Sequence, residues 1–70
     1  MMNNDLILQN RHNNILTVTI NRPQKANSLT NEMLRNLTEI FVTASLDERL
    51  VGIIVTGSGD RVFCAGADLS

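Results

Sequence analysis

Arg22 and Lys25 flank Pro23 and Gln24 in a polar stretch, and two cations so spaced could meet a phosphate or a carboxylate. Two solvated loop cations are an equally simple reading of the pair. Further along, Ala65-Gly66-Ala67 follows the apolar run Val62-Phe63-Cys64. Three small residues leave room for another backbone or a ligand to approach closely. If a helix begins just after them, its first amides stand free at the positive helix end. Free amides there can hold an anion or a developing oxyanion. A packing crossover that needs small residues explains the same segment equally well. Asp68 could pair with a cation or cap a turn.

The remaining candidates are weaker. Gly57 and Gly59 follow an apolar run, but a dinucleotide fingerprint would need glycine where Val62 stands, and no phosphate-loop Gly-Lys follows. The glycines read as a tight turn. His12 has no second histidine or acid arranged near it and reads as a solvated turn residue. Cys64, between Phe63 and Ala65, reads as an inert structural thiol rather than a nucleophile.

The elements that must position these residues follow from periodicity. Leu16, Val18 and Ile20 alternate with Thr17 and Thr19, which predicts a half-buried strand over residues 15–20. An apolar-to-polar run over residues 6–10 precedes it, and His12-Asn13-Asn14 between them predicts a hairpin. Pro23 ends the second strand, and residues 24–28 read as a loop. Thr30 is placed as an N-cap with Glu32 in the first turn. Met33, Leu34, Leu37, Ile40, Phe41 and Ala44 then recur at helical spacing to about Ser45. Residues 50–56 are rich in β-branched side chains and predict a buried strand, central in its sheet. Residues 57–60 form a turn, after which residues 62–64 could pair again. The order is strand, strand, helix, strand, an α/β unit with a right-handed crossover if the strands flanking the helix are parallel.

Composition narrows the function classes. Six basic and seven acidic residues give a net charge of −1 with no basic block, which argues against nucleic acid. The two aromatics, Phe41 and Phe63, make no base-stacking platform. One cysteine and one histidine exclude an internal disulfide and a Cys/His zinc site. The apolar runs are far short of the roughly 20 residues of a membrane span. The first residues lack the charged and apolar regions of a secretory signal, so a cytoplasmic setting is expected.

Several of these segments, taken in order, resemble the amino-terminal third of the enoyl-CoA hydratase/isomerase (crotonase) family. The carrying residues are Val18-Thr19-Ile20-Asn21-Arg22-Pro23, Asn27-Ser28-Leu29, Gly52-Ile53-Ile54-Val55-Thr56-Gly57 and Phe63-Cys64-Ala65-Gly66-Ala67-Asp68-Leu69. The last of these, after a strand ending Thr-Gly, is the most specific. The resemblance implies that residues 1–70 are the amino-terminal fragment of a single crotonase-like domain, a spiral of ββα units in a trimer or dimer of trimers. It also implies acyl-CoA thioester chemistry through an enolate-like intermediate held by two backbone amides, with coenzyme A carried by the substrate and no separate cofactor or metal.

Residue by residue, Ala67 matches the position whose amide forms half of that oxyanion hole; the other half is a glycine amide beyond residue 70. Ala65, Asp68 and Leu69 match positions lining the coenzyme A pocket, with Gly66 and Ala67 between them. Lys25 and Ala26 match the segment along the CoA nucleotide, Lys25 as the phosphate contact. The family's acid/base carboxylates match nothing here: Asp5, Glu32, Glu39, Asp47, Glu48 and Asp60 all fall elsewhere in the pattern. That absence, with Gly57 and Gly59, motivates the competing reading of a non-catalytic nucleotide-binding or scaffold module.

Overall fold

Asn13 and Asn14 both take positive φ, 53° and 64°, as a two-residue type I′ hairpin turn requires. They join strand β1 (Ile7–His12) to strand β2 (Ile15–Ile20), which pair antiparallel from Ile7 opposite Ile20 to His12 opposite Ile15. The computed structural model describes residues 6–59, 63, 64 and 66. After β2 come a single 3-10 turn (Pro23–Lys25), helix α1 (Asn31–Ser45) and strand β3 (Gly52–Gly57). The sheet order is β1-β2-β3, with β3 parallel to β2 from Ile15 opposite Gly52 to Ile20 opposite Gly57. Helix α1 is therefore the crossover between two parallel neighbours.

The helix starts where the capping chemistry places it. The Thr30 backbone is extended, and its hydroxyl accepts a hydrogen bond from the Met33 N–H at 3.1 Å. That bond satisfies one of the amides an α-helix leaves without an internal partner. Met33, Leu37 and Ile40 are buried on the sheet, as their spacing of three and four requires. Val18, Leu37 and Ile40 form the centre of the core, with Ile7, Leu16 and Leu29 packed around them. Ala44 is half-buried at the end of the stripe. Leu34 and Phe41 belong to the same pattern but lie at its margin, 38% and 39% exposed.

Two expectations about the last strand are corrected. It begins at Gly52 and ends at Gly57, not at residues 50 and 56, because the Leu50 N–H is taken by the Asp47 carbonyl and the Val51 N–H by that of Asn14. It is also neither central nor buried: β2 occupies the centre, and Ile53, Ile54 and Val55 are 40%, 52% and 40% exposed. The reason is where the helix lies. The core that α1 covers is built from β1, β2 and Leu29, and no side chain of β3 enters it. Two smaller differences follow the same pattern of local chemistry. Pro23 starts a 3-10 turn within the stretch read as loop. Phe63 and Cys64 pair in no strand.

At the end of the sheet far from the β2–α1 loop, Arg11 of β1 reaches Asp47, just past the helix, in an ion pair. That hydrogen bond, with a second from the Arg49 N–H at 3.0 Å, holds the Asp47 carboxyl below its ordinary value of 3.8. Both side chains are about a third exposed or more, so solvent weakens the pair.

Two outcomes are expected. Met33→Ala lowers stability by about 2–5 kcal/mol in denaturant melts, whereas Val42→Ala on the exposed helix face changes it by less than about 0.5 kcal/mol. An NMR titration of Asp47 gives a midpoint below 3.8, which Arg11→Ala raises toward that value. Because the folded value is depressed, the stabilisation is complete above the ordinary carboxylate range. It is lost as pH falls through the folded midpoint.

Candidate functional site

Parallel strands end at the same edge of a sheet, and open α/β folds bind ligands outside those carboxyl ends. Here β2 runs at that edge into residues 21–29, and β3 into Ser58, Gly59 and the segment holding Phe63, Cys64 and Gly66. Lys25, Ala26 and Gly66, far apart in sequence, therefore lie at one edge because β2 and β3 are parallel.

The first loop is held from inside. The Arg22 carbonyl accepts from the N–H groups of Lys25 and Asn27, at 3.0 and 2.8 Å, and the Pro23 carbonyl from that of Ala26. The Arg22 guanidinium turns back to donate to the carbonyl and hydroxyl of Ser28, at 3.2 and 3.1 Å. Arg22 and Lys25 thus do different work. Arg22 is half-buried in loop structure, while Lys25 is exposed on the 3-10 turn. Ala26 and Asn27 are both left-handed, with φ of 53° and 57°. Asparagine tolerates that conformation; alanine does so at a cost of about 1–3 kcal/mol that surrounding contacts must offset.

Asn27 supplies those contacts. It is wholly buried, and a buried amide is costly unless both its ends are bonded. Its Oδ1 accepts from the Arg22 N–H at 2.9 Å, and its Nδ2 donates to the Ser58 carbonyl at 2.9 Å. Ser58 is fastened twice more, donating its N–H to the Ile20 carbonyl and its hydroxyl to Asn21 Oδ1, both at 2.8 Å.

Gly57 makes this junction possible. A Cβ there would lie 2.2 Å from the Phe63 carbonyl oxygen and 2.8 Å from Asn27 Nδ2. Backbone and a wholly buried amide occupy that space, so neither can swing aside. Gly66 is a different case. Among the described residues nothing lies within 4 Å of its missing Cβ, and its glycine answers to a φ of +103° that other residues rarely adopt. Its carbonyl accepts from the Leu29 N–H at 2.8 Å, a third tie between the two segments after Asn27–Ser58 and Ser58–Asn21. The small residue at 66 is therefore needed for backbone conformation, a requirement the sequence had left between ligand approach and packing.

The positions expected from sequence divide as follows. Lys25, Ala26 and Gly66 lie at this edge. Ala65, Ala67, Asp68 and Leu69 lie outside the described residues. Cys64 is half-buried beside Phe63. His12 is exposed at the far end of β1, the last strand residue before the Asn13–Asn14 turn. Asn27 carried only resemblance in the sequence, and Gly57 was read as part of a turn rather than as a close-approach position. The available signal was the placing of a polar residue directly before Ser28-Leu29 and of a glycine directly at a strand end.

A groove of about 600 Å³ lies elsewhere, between β1 and α1, with Arg11, Asn36, Glu39, Thr43 and Asp47 among its lining residues. It is open, with Leu16, Ile40 and Leu50 beside the polar groups, and the Arg11–Asp47 bridge lies in its lining. Among the described residues no three of His, Cys, Asp or Glu gather as a metal site. Among them, too, no helix is long and apolar enough to cross a membrane.

Residues 10–70 match the sequence profile of the enoyl-CoA hydratase/isomerase family. A short-chain-enoyl-CoA hydratase of Clostridium acetobutylicum is 34% identical over 67 residues, covering 96% of this chain and 25% of its own. A 1,2-epoxyphenylacetyl-CoA isomerase of Escherichia coli is 36% identical over 66 residues, covering 94% of this chain and 25% of its own. The crystal structure of an enoyl-CoA hydratase from Mycobacterium tuberculosis superposes with a TM-score of 0.86 at 35% identity, over 93% of this chain and 29% of that one. The chain thus spans about a quarter of the length of the curated relatives it matches. Over that span its fold is the amino-terminal part of the crotonase fold.

Gly57→Ala is expected to cost about 1–3 kcal/mol or more, with the Phe63 carbonyl displaced. Gly52→Ala, where a Cβ meets nothing within 4 Å, is expected to be near neutral. Denaturant melts of the two variants side by side check this.

Proposed function

The chain belongs to the enoyl-CoA hydratase/isomerase family, and from that premise we propose that it forms the thioester-binding part of an acyl-CoA enzyme, a hydratase or an isomerase. The observation that supports this most directly is the junction at the carboxyl ends of β2 and β3. It brings the Lys25 loop against the segment that leads to Ala67. In this reading Lys25 meets the phosphates of coenzyme A, with Ala26 beside the nucleotide. Ala65, Gly66, Asp68 and Leu69 line the path of its pantetheine and adenine. The Ala67 N–H donates to the thioester oxygen.

The chemistry follows from where charge develops. When a proton leaves the carbon next to the thioester carbonyl, or a nucleophile adds to the conjugated double bond, negative charge collects on the carbonyl oxygen. Two fixed amides aimed at that oxygen stabilise the enolate-like state more than the ground state, and such a donor is worth about 2.7–4 kcal/mol. Ala67 would be one donor. The second donor and the carboxylates that move protons would come from residues after position 70 in the complete protein. A hydratase and an isomerase match this segment about equally well, which suits a part that binds and polarises the thioester while other residues choose the reaction. The complete protein is further proposed to be a cytoplasmic trimer or dimer of trimers, with coenzyme A arriving on the substrate.

The test is an assay of the complete protein with crotonyl-CoA and a measurement of CoA binding. Turnover is expected, and Lys25→Ala should weaken CoA affinity roughly three- to tenfold while leaving a crotonyl-pantetheine thioester, which lacks the nucleotide, unaffected. Failure to bind any acyl-CoA at millimolar concentration would rule the reading out.

A further inference from the structure

We propose that Asn27 is a positioning residue, one that couples the loop carrying Lys25 to the backbone segment carrying Gly66 and so sets the two halves of the site at a fixed separation. The catalytic consequence rests on the acyl-CoA reading above; the mechanical one does not.

Three observations converge on this residue. It is the wholly buried polar side chain of the described structure, 0% exposed, at the point where the two segments meet. Its two ends face different segments. Oδ1 accepts from the Arg22 N–H, within its own loop, and Nδ2 donates to the Ser58 carbonyl, thirty-one residues away. The side-chain nitrogen also lies 2.8 Å from where a Gly57 Cβ would stand, and the Phe63 carbonyl closes the same space from the other side. The Asn27 amide and the Phe63 carbonyl thus both close on β3's last residue.

Asn27 also sits second in a left-handed pair, after Ala26. Alanine does not hold that conformation unaided. The Oδ1 bond to Arg22 spans the loop's base and closes it around the strained pair. The one side chain therefore does two jobs: it keeps the Lys25–Ala26 turn in shape, and it holds that turn against Ser58. Just past Ser28, the Leu29 N–H reaches the Gly66 carbonyl. Loss of the Asn27 bridge is expected to loosen that bond first.

The experiment uses the complete protein with Asn27→Asp and Asn27→Gly. Aspartate keeps an acceptor for the Arg22 N–H but removes the donor to Ser58. Glycine keeps the left-handed backbone at no steric cost and removes both bonds. Amide hydrogen exchange at Leu29 reads the tie to Gly66, with Val18 in the core as the internal control. Exchange at Leu29 is expected to quicken at least tenfold in both variants while Val18 stays protected. With crotonyl-CoA, Asn27→Asp should lower kcat at least tenfold with KM within threefold of wild type. Asn27→Gly should lower kcat and also raise KM, because the Lys25 loop is freed as well.

Leu29 exchange within twofold of wild type in both variants would overturn the coupling. So would loss of Val18 protection in both, which would make Asn27 a folding residue. Faster Leu29 exchange with kcat unchanged would overturn the catalytic consequence. If the wild type turns over no acyl-CoA, the functional reading fails, and exchange alone decides whether Asn27 couples the segments.

Discussion

A buried carboxamide with a partner at each end is the constraint on which the functional edge of this fold depends. Asn27 cannot be moved outward without exposing the Ser58 carbonyl, nor inward, because Gly57 already stands in contact. An apolar side chain of the same size would leave the Arg22 N–H and the Ser58 carbonyl without the bonds the amide gives them. Leaving such groups unbonded costs about 1–3 kcal/mol each. The site is thus specified by hydrogen-bond accounting more than by apolar packing. The hydrophobic core lies beside it, around Val18, Leu37 and Ile40, and supports the strands from which the two loops depart.

The sheet supplies the second requirement. Had β3 paired antiparallel to β2, Gly57 would lie at the hairpin end, and residues 58–66 could not meet the loop that follows Ile20. Parallel pairing demands a crossover long enough to return the chain, and α1 with its fifteen residues does this. Pro23 stops β2, and the Thr30 cap starts the helix. Between them the chain has six residues, 24–29, in which to turn, and Asn27 is placed within that span. Loop length, crossover and buried amide therefore depend on one another.

Much of this was legible in the sequence, for identifiable reasons. Alternating Leu16, Val18 and Ile20 marked β2 because one of its faces really is buried. The stripe Met33, Leu37, Ile40 marked α1 because that helix has one partner surface. Asn13-Asn14 marked the hairpin because asparagine accepts positive φ. The strand over Gly52–Gly57 was found but misplaced within the sheet. Periodicity reports that Ile53, Ile54 and Val55 are apolar on both faces, and it cannot report that α1 leaves them uncovered. The Asn27 junction was illegible for a related reason. Both its partners are backbone groups, one of them thirty-one residues away, and nothing in residue type announces a hydrogen bond to a carbonyl.

That illegibility extends to the chemistry. Carboxylates are present in the described structure, but the placement of Glu32, Glu39 and Asp47 keeps them from the β2–β3 edge. Glu32 sits in a small hollow with Leu6, Ile7 and Met33, on the β1 side. Glu39 lines the groove between β1 and α1, and Asp47 is engaged with Arg11 at the opposite end of the sheet. What the edge offers is main-chain groups held at set positions: the Gly66 carbonyl tied to Leu29, the Ser58 carbonyl tied to Asn27, and the Phe63 carbonyl against Gly57. Backbone groups titrate over no accessible pH range and carry no side-chain signature. They gain electrostatic use only when their orientation is fixed before a ligand arrives. Fixing orientation is what a buried amide, a close-approach glycine and a positive-φ glycine do together. The residues that matter most to this edge are for that reason Asn27, Gly57 and Gly66, none of which could itself transfer a proton.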